Sequence, residues 1–190
     1  MTRGRLRIVA GELGGRRISA PAGRATRPTA DRVREALFSI LGDVTGEEVI
    51  DLYAGSGALG LEALSRGAAR ATFVEQSPAA LAAIRQNIAD LGLEERASVV
   101  VGDVEAVIRR EATSGRRYRL CLLDPPYSLL SRISGALGPL LAPVLEPGAR
   151  VVVEHSARTQ APDFAELPIV TRTHRTYGDT AVTILGLANP

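Results

Sequence analysis

The segment Val49-Ile50-Asp51-Leu52-Tyr53-Ala54-Gly55-Ser56-Gly57-Ala58-Leu59-Gly60-Leu61 reads as a strand, a glycine-rich turn and the start of a helix. Its glycines match G-x-G-x-x-G, a spacing shared by dinucleotide-binding proteins and many other βα units. Alone it fixes a strand–turn–helix and little more. What extends it is a series of acids placed where apolar runs stop. Asp51 closes the first run, Glu75 closes Ala71-Thr72-Phe73-Val74, Asp103 follows Ser98 to Gly102, and Asp124 closes Leu120-Cys121-Leu122-Leu123. The spacings are 24, 28 and 21 residues, each the length of one strand–helix–strand repeat. Helical patterns fill the gaps, over Ala58 to Ser65, Pro78 to Leu91 and Val104 to Ala112. This alternation predicts an α/β, Rossmann-like domain: a mostly parallel sheet with helices on both faces. Such sheets bind ligands outside the carboxyl ends of their strands. The four acids should therefore line one site.

Each acid can be given a task. Asp51 sits where its carboxylate can face the ammonium end of S-adenosylmethionine. The turn Tyr53-Ala54-Gly55-Ser56-Gly57 lets the backbone approach the amino-acid portion of that cofactor, since a glycine has no Cβ in the way; Tyr53 has the plainer reading of packing the turn. Glu75, followed by Gln76, is placed to accept ribose hydroxyls, the role an acid plays about 20 residues past the fingerprint in dinucleotide folds. Asp103 can accept an adenine amine, with the Val104 N–H reading the ring nitrogen. Any one of these acids alone would read as a helix cap or a solvated turn residue.

Asp124-Pro125-Pro126-Tyr127 adds a catalytic reading. The prolines fix φ near about −65° and remove two N–H donors, leaving a stiff backbone with exposed carbonyls. Asp124 and the Pro125 carbonyl can each accept one N–H of an exocyclic –NH₂, while Tyr127 stacks on the base. Gripping both N–H bonds orients the nitrogen lone pair toward an electrophilic methyl, so the loop suits methyl transfer to a base amine helped mainly by positioning. Reaching that amine demands an unpaired or flipped base. Nothing in the loop separates guanine N2 from adenine N6 or cytosine N4.

Charge is distributed unevenly. Residues 1–35 hold nine arginines against three acids, a net +6, while the remaining 155 residues hold 14 arginines and 18 acids, a net −4. Arginine forks pair with phosphates whatever the base sequence, and that attraction is salt-sensitive. Arg3, Arg5, Arg7, Arg16, Arg17, Arg27, Arg32 and Arg34 are therefore candidate nucleic-acid contacts. Leu6 to Ala10 and Arg17 to Ala20 flank Gly11-Glu12-Leu13-Gly14-Gly15 as a β-hairpin. A helix then follows, with Thr29 as its N-cap and Val33, Ala36, Leu37, Ile40 and Leu41 at helical spacing. This is an ordered element rather than a solvated tail. The expected division is an RNA-contacting extension over 1–46 and a catalytic domain over 47–190.

With 190 residues, 45% of them apolar, the chain should form one folded domain with a real core. Cys121, the single cysteine, has no disulfide partner and sits in a buried strand. No run approaches the roughly 18 apolar residues of a membrane span, and no apolar block follows the basic N-terminus as a signal peptide requires. A cytoplasmic protein without membrane partners is expected. His155 and His174 lack neighbours at metal-ligand spacing, so no metal is expected and both read as structural or substrate-contacting.

Ala25-Thr26-Arg27-Pro28-Thr29-Ala30-Asp31-Arg32-Val33-Arg34-Glu35-Ala36-Leu37-Phe38, Gly60-Leu61-Glu62-Ala63-Leu64-Ser65-Arg66-Gly67-Ala68 and Tyr177-Gly178-Asp179-Thr180 extend the motifs above. Together they resemble the bacterial 16S rRNA guanine-N2 methyltransferases, a family of class I S-adenosylmethionine-dependent enzymes, from about Arg7 to Leu185. The resemblance implies a seven-stranded sheet with one antiparallel strand and the small N-terminal hairpin and helix. It also implies methylation of one guanine N2 in 16S rRNA, within a partly assembled small ribosomal subunit, by a monomer. Tyr177 and Asp179 would lie near the substrate pocket. Three other readings remain: a DNA adenine-N6 or cytosine-N4 methyltransferase, an NAD-dependent oxidoreductase on the same glycine pattern, and a non-catalytic RNA-binding assembly factor. No segment is long enough for a separate DNA-recognition domain, and the oxidoreductase explains neither Asp124 to Tyr127 nor the arginine arm.

Overall fold

The computed structural model describes residues 6–21, 30–164 and 166–189. Arg3, Arg5, Arg27 and Thr29 lie outside them, as does the side chain of Tyr127. Seven strands form one sheet: β3 (Glu48–Leu52), β4 (Arg70–Glu75), β5 (Ala97–Val101), β6 (Tyr118–Leu123), β7 (Leu145–Ser156), β8 (Ile169–Tyr177) and β9 (Thr180–Leu187). Their order is β5-β4-β3-β6-β7-β9-β8. All neighbours from β5 to β7 are parallel, and β9 runs antiparallel to both β7 and β8. The sheet is thus mostly parallel with one antiparallel strand. The last two strands form a hairpin in which β9 inserts next to β7 and β8 takes the edge, running with the parallel strands.

Helices α2 (Ala58–Ser65), α3 (Pro78–Leu91) and α4 (Val104–Ser114) fall where the acid-to-acid spacing requires them. Side chains alternate across a strand. In β6, Leu120 and Leu122 join a core with α2 and α3, while Cys121 and Leu123 join a second core on the opposite face with α4. Strands buried on both faces are apolar at every position, which is why these runs lack polar alternation. Cys121 is a free, buried thiol, and burial pushes its pKa up.

Helix α5 (Tyr127–Leu141) has no counterpart in the sequence reading. Gly135, Gly138 and Pro139 hide its pattern, yet Leu130, Leu137 and Leu141 are buried in the second core and hold it there. Propensity is a weak prior that such packing overrides.

The N-terminal hairpin is reduced to β1 (Leu6–Arg7) and β2 (Arg17–Ile18), joined antiparallel. It is no loose arm. Leu6, Ile8 and Ile18 share the first core with Val33, Leu37 and Phe38 of α1 (Ala30–Leu41) and with Leu61 and Leu64. Gly11 has φ +84°, and a Cβ there would lie 1.9 Å from the Ser65 carbonyl oxygen. Only glycine lets the hairpin turn touch α2 this closely.

The chain steps outward from β3 to β4 to β5, then returns to place β6 on the other side of β3. That reversal opens a crevice at the carboxyl ends of β3 and β6, the place where open α/β sheets bind ligands. Leu52 and Leu123 are paired there, and the Asp124 N–H donates to the Leu52 carbonyl at 3.4 Å.

Candidate active site

Two cavities open at this edge and meet at Asp124. One, of about 230 Å³, is lined by Tyr53, Glu75, Gln76, Val104, Pro126 and Leu129 among others. The second, of about 170 Å³, lies between the glycine turn and the N-terminal segment; Asp51, Gly55 and Ser56 face Leu6, Ala20 and Pro21. Asp124 lines both. Among the described residues the charged groups lining these cavities are Asp51, Glu75 and Asp124, with no basic side chain.

The glycine turn is held by carboxylates. Asp51 is 1% exposed and its Oδ2 accepts from the Gly60 N–H at 2.9 Å, tying the strand end to the first turn of α2. A Cβ at Gly60 would lie 2.4 Å from Cε1 of Phe73, so the helix can come this close to the sheet only with glycine there. Burial pushes the Asp51 carboxyl well above the ordinary carboxylate range; the Gly60 N–H opposes that, and the charges of Asp124 and Glu75 reinforce it. Tyr53 is the only non-glycine residue with positive φ among the described residues, at 61°. A bulky residue in that conformation is strained, and strain of this kind concentrates at ligand sites.

Glu75 grips the turn from the next strand. Its Oε2 accepts from the Gly55 N–H at 2.9 Å, and its Oε1 from the N–H groups of Gln76 and Ser77 at 2.8 and 2.9 Å. The carboxylate is thereby fixed at the cavity wall with lone pairs remaining for a ligand. Asp103 behaves differently. It is exposed and caps α4, its Oδ1 accepting from Glu105 and Ala106 N–H at 3.0 and 3.2 Å. Gly102 and Val104 on either side line the cavity, while Asp103 itself is not part of the wall.

Pro125 is buried and Pro126 exposed, and the Pro126 carbonyl accepts from Leu129 N–H at 2.8 Å, which starts α5. The stiff loop therefore leads straight into a helix, a device that fixes the direction of Asp124.

Of the arginines, Arg7, Arg16, Arg17 and Arg32 are exposed. Arg7 pairs with Asp31 at 2.9 Å, and Arg16 donates to the Asp90 carbonyl at 2.6 Å. Arg34 corrects the sequence reading. Its side chain is 4% exposed, paired with Asp31 at 2.9 Å and Glu62 at 3.4 Å, and it donates to the Arg7 carbonyl. It holds the hairpin to α1 and is sealed from solvent, so it is no RNA contact.

His155 is fully buried and desolvation lowers its pKa. Its Nε2 lies 3.0 Å from Thr183 Oγ1, which also meets His174 Nδ1 at 3.0 Å, a polar link between β7, β9 and β8. Tyr177 packs half-buried against the first core, and Asp179 pairs with Arg158 at 3.1 Å on the surface.

Sequence reasoning overlooked Glu62, Ser65 and Asn87, three buried polar residues on apolar helix faces. Asn87 had a readable signal: it stands among Ala80, Ala83, Ile84, Ile88 and Leu91 on the buried stripe of α3. A polar group there must have partners.

A family model described as "Conserved hypothetical protein 95" matches residues 6–186. The chain belongs to this family. The chain is 36% identical to "Putative rRNA methyltransferase YlbH" of Bacillus subtilis (strain 168) over 186 residues, 94% of this chain and 97% of that one. It is 40% identical over 125 residues to "Ribosomal RNA small subunit methyltransferase D" of Escherichia coli (strain K12), 65% of this chain and 61% of that protein. Among solved structures it superposes on "Putative methyltransferase yhhF" from Escherichia coli with a TM-score of 0.79 at 31% identity, covering 98% of this chain and 100% of that one. Family and fold thus coincide over nearly the whole chain.

Proposed function

We propose that this chain transfers a methyl group from S-adenosylmethionine to N2 of a guanine in 16S rRNA, acting on a partly assembled small subunit. The observation that carries this reading is the pair of cavities meeting at Asp124, whose charged wall groups among the described residues are Asp51, Glu75 and Asp124. Burial first, and then repulsion from the charges of Asp124 and Glu75, hold the Asp51 carboxyl above its ordinary range. A ligand bearing an ammonium and a sulfonium relieves that repulsion. A dinucleotide, with its anionic pyrophosphate, worsens it. This favours the methyl donor over the nicotinamide cofactor that the glycine pattern also allows.

When bound, S-adenosylmethionine supplies an electrophilic methyl group on a positively charged sulfur. The rest of the chemistry belongs to the chain. Asp51 and the Gly55–Ser56 backbone face the smaller cavity, suited to the amino-acid end; Glu75, Gln76 and Val104 face the larger one, suited to ribose and adenine. Asp103 would reach the adenine amine from beside that wall. Asp124 and the Pro125 carbonyl take the two N–H bonds of the base amine. Held in this way, the amine would present its lone pair to the methyl group that the cofactor supplies, and its surplus proton would pass to water. The Asp124 carboxylate opposes the positive charge that develops on nitrogen. The likeness to the rRNA-methylating relatives favours RNA as substrate, with Arg7, Arg16 and Arg17 of the N-terminal hairpin and Arg32 of α1 exposed.

The deciding assay offers labelled S-adenosylmethionine with naked 16S rRNA, with small-subunit particles lacking the modification, and with double-stranded DNA. Digested products identified by mass spectrometry should contain N2-methylguanine from RNA. Methyladenine or methylcytosine from DNA alone would overturn the substrate. For the cofactor, Glu75→Ala should weaken binding by about 1.5–3 kcal/mol, the scale of hydrogen bonds to a charged group. Calorimetry showing unchanged affinity would remove Glu75 from the ribose.

A further inference from the structure

The side-chain amide of Asn87 is 1% exposed, and it joins two segments that do not otherwise share a hydrogen bond among the described residues. Its Oδ1 accepts from the Ser19 N–H at 2.7 Å, and its Nδ2 donates to the Ser19 carbonyl at 3.0 Å. The same Nδ2 donates to the carbonyl of Ser56 at 2.9 Å. Ser19 immediately precedes Ala20 and Pro21, which wall the smaller cavity, and Ser56 sits in the glycine turn on the opposite wall. One amide thus sets the spacing between the two walls from behind.

We propose that Asn87 is a positioning residue that couples the N-terminal segment to the cofactor turn, so that RNA held by the arm and cofactor held by the turn each tighten the other. The inference rests on the function proposed above. The same segment carries exposed Arg16 and Arg17, three and two residues before Ser19. Anything that orders Ser19 orders the Ser56 carbonyl through the shared amide. By linkage the effect is reciprocal, RNA strengthening cofactor binding by the factor that cofactor strengthens RNA binding. Glu62 and Ser65 anchor the hairpin to α2 and set no such spacing, because neither touches the glycine turn's carbonyls.

Asn87→Asp is the informative variant. It keeps the size and the acceptor for the Ser19 N–H, but turns two attractive bonds into carboxylate–carbonyl repulsions. The Kd of S-adenosylhomocysteine would be measured by calorimetry with and without a 16S rRNA transcript, alongside steady-state kinetics and thermal melting. In the native protein RNA should tighten the nucleoside by about fivefold or more, the lower end of ordinary coupling. In Asn87→Asp that factor should fall toward one, and KM for S-adenosylmethionine should rise about tenfold, the scale of two lost hydrogen bonds, with kcat changed far less. Asn87→Ala should show the same split. A merely structural role would lower the active fraction, the binding stoichiometry and the melting point while leaving Kd, KM and the coupling factor alone; that outcome overturns the proposal, as does a native protein whose two ligands ignore each other. A native protein that binds no S-adenosylhomocysteine would instead overturn the proposed function itself.

Discussion

Asp124→Ala should lower the single-turnover rate of methyl transfer by about 10²–10³-fold, the cost of removing one preorganised electrostatic partner from a transition state. Three features set that size. The carboxylate lies where both cavities meet, it follows a strand end held by the Leu52 carbonyl, and it precedes two prolines that leave its direction little freedom. Cofactor affinity should change less, within about tenfold, because Asp51 and Glu75 remain and one charge–charge interaction in a solvent-filled cavity is of that order. Asp51 itself should become easier to ionise, since the charge of Asp124 is among the influences raising its pKa. Asp124→Asn sharpens the test. It is nearly isosteric and keeps an acceptor in its Oδ1, but it carries no charge to oppose the one developing on nitrogen, so transfer should slow although the amine can still be held. Calorimetry with S-adenosylhomocysteine separates the roles. Slow transfer with intact binding assigns Asp124 to the amine, whereas loss of binding would assign it to the cofactor. Transfer at the native rate would take it out of the reaction.

The acids at the carboxyl ends of the strands were legible because each ends an apolar run, and runs buried on both faces leave no ambiguity about where the strand stops. Helices α2, α3 and α4 followed from the same spacing. Helix α5 was not legible, since its glycines and proline contradict its packing, and only the buried Leu130, Leu137 and Leu141 reveal it. Likewise β9 cannot be placed between β7 and β8 from local pattern, because insertion into a sheet is a pairing across more than 20 residues. The site divides similarly. Asp51, Glu75 and Asp124 converge as their positions required, but Leu6, Ala20 and Pro21 enter the cavity wall through tertiary packing that no motif encodes. Arg34 shows the converse error: charge pattern alone cannot tell a solvated arginine from one sealed at 4% exposure against two carboxylates.

Glu62→Ala should destabilise the fold by about 3–5 kcal/mol, the cost of breaking a buried ion pair from one side. Glu62 has no exposed surface; its carboxylate accepts three hydrogen bonds and forms an ion pair with Arg34. Val9 and Ala10 N–H lie at 2.7 and 3.0 Å, Arg66 Nε at 2.8 Å and Arg34 Nε at 3.4 Å. Alanine leaves two backbone donors without their acceptor and the buried Arg34 guanidinium with Asp31 as its remaining carboxylate, and water reaches them only if the hairpin moves. Arg66 loses less, being partly exposed and stacked 4.9 Å from the Phe38 ring. For a chain of this length the expected fall in melting temperature is about 6–20 °C. Arg158→Ala sets the contrast. Its pair with Asp179 is 82% and 75% exposed, and such surface pairs are worth about 0–1 kcal/mol, so that variant should melt within a few degrees of the native protein. Hydrogen exchange then locates the damage. The amides of Ile8 and Gly15, bonded across the hairpin to Arg16 and Ile8 carbonyls, should exchange faster in Glu62→Ala, while those of β3 and β6 keep their order of protection. Since Leu6 walls the smaller cavity, cofactor affinity should weaken in step with that local opening. Equal melting temperatures for Glu62→Ala and Arg158→Ala would mean that the hairpin is held by its apolar contacts alone, and that the buried carboxylate fixes its position without adding stability.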